Sequence, residues 1–131
     1  MRTDVIDYIQ TLNLGTFIVS SELPFSESGV PLYIKNLKKI YVDVDQITVE
    51  PIITTLSGIN ITRDTTAVTV RFANDAKSIP PNYDEVVSNL RSAKDILATT
   101  GGFTGREAVV STEFQADRLI TEIELRFIKI T

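Results

Sequence analysis

The last third of the chain leaves the fewest choices of fold. Tyr83, Val86, Val87, Leu90, Ala93 and Leu97 recur mostly at spacings of three and four, which puts them on one stripe of a helix over residues 83–97. Asn82 followed three residues later by Glu85 reads as a capping-box-like start. Beyond it, residues 107–114 and 118–130 read as two strands joined by the polar turn Gln115-Ala116-Asp117. In the second strand Leu119, Ile123, Leu125 and Phe127 share one face, and Glu122, Glu124 and Arg126 the other. A hairpin with one apolar side and a helix with one apolar stripe are each other's most economical partners.

The earlier chain supplies more sheet. Thr3 or Asp4 can cap a first helix carrying Val5, Ile6, Tyr8, Ile9 and Leu12, which ends near Gly15. A short strand is expected over 16–20, and a loop over 21–31, where two prolines, a glycine and three serines exclude helix and central strand. Residues 32–34 read as a short strand, and 39–45 alternates Ile40, Val42 and Val44 against Tyr41, Asp43 and Asp45. Pro51 interrupts the β-branched run 47–56 and demotes it to an edge or a bulge. Residues 59–62 and 66–73 then read as a hairpin about Arg63-Asp64-Thr65, with Val68, Val70 and Phe72 on one side. The fold expected for the 131 residues is a single α+β domain: one antiparallel or mixed sheet with two helices packed on one face. On the sheet's second face Thr69, Arg71, Glu122, Glu124 and Arg126 mix with Ile120, Ile128 and Ile130, a composition that suits water or a neighbouring subunit.

Composition narrows the chemistry. The chain has neither cysteine nor histidine, so it lacks thiolate ligands, the commonest zinc ligand and the commonest general base. A formal charge of -4 gives no electrostatic footprint for wrapping duplex DNA. No apolar run approaches the ~20 residues of a membrane span and no secretory signal is evident, so a cytoplasmic product is expected. Asp43 and Asp45, one pleat apart, invite a metal or acid-base reading, but with no third ligand nearby a solvated face explains them better. The glycine-rich run 99–105 follows a helix and precedes a strand, the reverse of a phosphate-binding turn, and reads as a connector. Neither a catalytic, a cofactor nor a metal site is expected.

The order of elements and several phrases resemble the tail terminator proteins of long-tailed bacteriophages. The likeness rests on the opening helix over 5–12, on 73–97 with Pro80-Pro81-Asn82-Tyr83-Asp84 leading into the helix, and on the finish Val110-Ser111-Thr112-Glu113 and 118–127. It is a likeness of pattern and length, without a catalytic signature. The resemblance implies a non-enzymatic virion protein: a homohexameric ring that caps the tail tube, stops its polymerisation and joins it to the head connector, with DNA passing the lumen without specific binding. On that reading Leu23, Phe25, Phe103, Glu122, Glu124 and Arg126 are candidate subunit or partner contacts, and Lys35, Lys38 and Lys39 candidate basic groups of an interface or the lumen. The alternatives are another phage neck or tube ring protein, a tube subunit being expected to show more strand and a single helix, or a small ligand-binding or enzymatic domain using Asp43, Asp45, Tyr41 or Lys39.

Overall fold

A computed structural model describes residues 1–25, 29–97 and 102–131; the loops expected over 21–31 and 99–105 therefore lie partly outside the described residues. The elements run α1 (Arg2–Gln10), β1 (Ile18–Val19), α2 (Leu32–Lys35), β2 (Lys39–Val42), β3 (Gln46–Thr54), β4 (Asn60–Asp75), α3 (Tyr83–Arg91), α4 (Ala93–Leu97), β5 (Gly105–Gln115) and β6 (Arg118–Ile130). The architecture is α+β, with a six-stranded mixed sheet ordered β1-β2-β4-β6-β5. β3 shares the flank of β4 with β2: β2 pairs near Arg71 and Val70, β3 along residues 60–67. All pairings are antiparallel except the short parallel contact of β1 with β2.

Strand alternation and the helical stripe converge on one core. Val68, Val70 and Phe72 from β4 and Ile123, Leu125 and Phe127 from β6 meet Val86, Leu90, Ala93 and Leu97 from the helices and Val5, Ile6 and Ile9 from α1. The expected register of the final hairpin and the expected stripe both place buried residues here, Val87 being packed at the rim. The Tyr83 hydroxyl and Thr121 Oγ1 lie 2.7 Å apart, which satisfies a threonine fully buried on the covered face of β6.

Several local expectations are corrected. The helix over 83–97 breaks at Ser92 into α3 and α4. There the Ser92 hydroxyl donates to the Ser88 carbonyl at 3.0 Å, a back-bond that bends helices. Asn82 makes no side-chain cap; its amide donates instead to the Leu14 carbonyl at 3.1 Å and ties α3 to the end of the first helical segment. Residues 32–34 are helical, because Pro31 presets its own backbone and its carbonyl accepts from the Ile34 and Lys35 amides. The hairpin expected about Arg63-Asp64-Thr65 does not exist. Those residues have no glycine or asparagine to make the turn, and they run straight through β4, paired with β3 on one side and β6 on the other. The reversal falls earlier, at residues 55–59, where Gly58 takes a φ of 83° and the Thr55 amide donates to the Ile59 carbonyl. The strand expected over 39–45 ends at Val42, and that over 16–20 is reduced to Ile18–Val19.

The second face is partly covered by the chain itself. α2 and its flanks lay Leu32, Tyr33, Ile34 and Leu37 over Tyr41, Ala73 and Ile120, a small second core. Ile120, expected on a face shared with water or a neighbour, is buried there.

α1 begins at Arg2, earlier than a Thr3 or Asp4 cap allows, because the cap comes from elsewhere in the sequence. Asp45 Oδ1 accepts from the Arg2 amide at 2.8 Å, and Oδ2 accepts from the Met1 amine at 3.0 Å. The carboxylate thus sits at the positive end of the helix and fills the role of a missing N-cap. Asp45→Ala is expected to lower stability by about 1 kcal/mol, checked by chemical denaturation; an unchanged midpoint would show that water replaces this cap without loss.

Candidate functional site

Asp43 and Asp45 do not form a metal pair. Asp45 is turned to α1, while Asp43 approaches Arg71, its Oδ2 lying 3.7 Å from Nη2. Among the described residues no group of three acidic side chains is placed to hold a metal ion.

Arg71, which strand alternation already places on the second face, is the hub of that face, a role its sequence position does not reveal. On one side it is hydrogen-bonded to Glu122. Its guanidinium carbon lies 5.5 Å from the Phe25 ring centre and 5.8 Å from that of Tyr33, and those two rings meet edge to face at 5.8 Å. Burial pushes the Tyr33 hydroxyl above its ordinary pKa, against the opposing pull of Arg71. A cation held between two carboxylates and two rings straps the segment before α2 to the sheet. Glu122 therefore serves the chain's own packing, and so does one edge of Phe25, although 51% of Phe25 remains exposed. Arg71→Leu should cost about 2 kcal/mol, because Asp43 and Glu122 are left without their cation. Thermal unfolding measures it, and a loss below about half a kcal/mol would show that the strap is idle.

The other candidates are placed as follows. Leu23 is about half exposed on the same segment. Phe103 is packed inward, tilted on Phe127 at 5.5 Å, so its ring belongs to the main core rather than standing free for a neighbour. Glu124 and Arg126 are joined to each other at 3.0 Å, and Arg126 reaches Glu107 at 2.8 Å. Hydrogen bonds from Arg126 to Glu124 and Glu107 raise the guanidinium above its ordinary pKa. With Arg63 and Thr65 these residues line a shallow concavity of about 400 Å³ on the second face. Lys35, Lys38 and Lys39 do come together: with Thr16, Ile18 and Arg118 they line a concavity of about 630 Å³. No ion pair of these three lysines is present among the described residues, whereas Arg118 pairs with Asp117 at 3.2 Å.

The most conspicuous surface was not singled out from sequence. β3 is exposed along its whole length, and the β3–β4 ribbon continues past the end of β6 to the turn at residues 55–59. Ile47, Val49, Ile52, Ile53, Leu56 and Ile59 are each more than half exposed, and Leu56 at the tip is fully so. The signal was available: between Gln46 and Asn60 the sole charged residue is Glu50. At the opposite margin of the sheet Val109, Val110 and Phe114 on β5 are also exposed, Phe114 by 70%.

Among the described residues no helix is long and apolar enough to cross a membrane. Compared with known proteins, the chain matches no family model and no curated protein.

Proposed function

We propose that this protein is a structural ring subunit of the tail-terminator kind, without catalytic activity. Copies close into a ring, six in the family the sequence resembles, that caps a tail tube, ends its growth and joins it to the head connector. The observation that carries this reading is the apolar ribbon of β3 and β4. Six large side chains held out on a two-stranded arm are unfavourable in water, and an arm of this composition gains by lying on another protein surface. Two further features agree. α1 and the α3–α4 pair cover one face, more helix than the single one expected of a tube subunit. The acidic side chains at Asp43, Glu107, Glu122 and Glu124 are engaged with arginines rather than left free around a pocket.

In the ring, the lysine-lined concavity at Lys35, Lys38 and Lys39 faces either an acidic neighbour or the DNA path, and the acidic total of the chain favours the neighbour. The functional test is removal of the protein from the assembling particle. Tails of uncontrolled length or tails without heads are expected; normal-length tails joined to heads would overturn the reading.

A further inference from the structure

We propose that the lysine-lined concavity and the one beside it form a single groove, which binds an extended segment of a different protein with carboxylates at one end and an apolar side chain at the other. The inference rests on the ring reading in one respect: the occupant is a neighbouring protein of the assembly, not the DNA that passes through it.

The first concavity, of about 630 Å³, gathers Lys35, Lys38, Lys39 and Arg118 around the exposed Ile18. A second, of about 520 Å³, is lined by Ile79, Pro80 and Pro81. Thr16 and Lys38 line both, so the two adjoin. Among the described residues no carboxylate lines either one, in a chain with 17 acidic residues against 13 basic. Elsewhere the sheet's arginines are met by acids of their own chain, as at Arg63, Arg71 and Arg126. Here Lys39 lies 5.8 Å from the Tyr41 ring centre, and Arg118 meets Asp117 outside the lining. Cations gathered with so little counter-charge repel one another, a cost that an incoming anion relieves.

Lys38 supplies a second observation. Its φ of 60° lies in the left-handed region, where glycine or asparagine is the usual occupant. The Lys38 amide donates to the Ala73 carbonyl at 2.9 Å, and its own carbonyl accepts from the Ile18 amide at 3.1 Å, so β4 and β1 hold it there. A long cationic side chain at a position that backbone conformation alone would give to glycine points to a use for its ammonium group.

The chemistry of the groove selects the occupant. A nucleic-acid backbone gains from a cation near each phosphate along its path, whereas beyond Lys38 the second concavity is uncharged and largely apolar. The net charge of -4 also disfavours a polyanion. A peptide that is acidic at one end and apolar at the other matches both halves. A second copy of this chain does not supply it. Its sole adjacent carboxylates, Asp84 and Glu85, are held in the first turn of α3, next to Asn82 of the groove's own wall.

Fluorescence anisotropy with a labelled peptide of glutamates followed by leucines measures the binding, and amide chemical shifts locate it. Shifts are expected at residues 16–18, 35–39 and 78–82. Exchanging the peptide's glutamates for glutamine, or using the K35Q/K38Q/K39Q chain, is expected to weaken binding by about tenfold or more. Serine in place of the leucines, or Ile79→Ser in the chain, should weaken it severalfold. If the triple variant fails to fold, Lys35→Gln with Ile79→Ser serves, since both side chains are exposed. No binding, shifts elsewhere, undiminished affinity in the variants, or tighter binding of oligothymidine at the same residues would each overturn the inference. Native mass spectrometry reads the ring separately: rings without peptide binding would overturn this inference alone, and peptide binding by a protein that never forms rings would sink the ring reading while leaving the groove standing.

Discussion

Phe72→Ala is expected to remove about 3–5 kcal/mol of stability. Its side chain is fully buried on β4, and its ring meets Phe17 edge to face at 5.4 Å and lies 6.2 Å from Tyr83. The residue thus joins three parts of the chain: the segment leading to β1, the central strand, and the first turn of α3. Deleting it removes the transfer energy of a large side chain and leaves a cavity that three elements must collapse to fill. For a chain of this length the midpoint should fall by on the order of 10 °C. Circular dichroism on heating decides it, and a fall of only a degree or two would mean that Phe17 and Tyr83 do not converge on this ring.

The second large effect concerns assembly and leaves the subunit intact. Ile53→Asp combined with Leu56→Asp places two carboxylates on the arm, at side chains that touch neither core. Surface changes of this kind usually alter folding stability by less than about 0.5 kcal/mol. If the tip is buried between copies, each carboxylate costs a central interface contact about 2 kcal/mol or more, roughly a 30-fold weakening apiece. Sedimentation should therefore show the double variant as folded single subunits at concentrations where the parent assembles. A double variant that assembles as the parent does would remove the arm from the interface.

How much of the molecule is legible in its sequence follows from how local each signal is. α1, the α3–α4 stripe and the β5–β6 hairpin declare themselves within a dozen residues, through a 3.6 or 2 period and a polar turn. β4 hides its length because Arg63, Asp64 and Thr65 look like a polar turn, although residues with strands on both sides need no such turn. α2 is four residues long and depends on Pro31 and on the sheet beneath it, so neither period can reveal it. Asp45 as a cap for α1 and Arg71 as a strap across Asp43, Glu122, Phe25 and Tyr33 link residues separated by up to 51 positions, beyond the reach of any pattern rule. The glycines around Phe103 suggest a side chain in search of a partner, yet Phe127 lies close enough to receive it. The ribbon at 46–60 is readable as a stretch with one charge in fifteen residues, but Pro51 draws attention to the interruption rather than to the exposure.

Everything proposed for this chain depends on its copies closing into a ring through surfaces that an isolated subunit leaves in water. Native mass spectrometry of the purified protein, taken through a dilution series and paired with negative-stain images, measures this most directly. A discrete species with the mass of six 14.5 kDa chains, seen as a ring with a central opening, is the expected result. A single 14.5 kDa species at every concentration, with featureless particles, would contradict it.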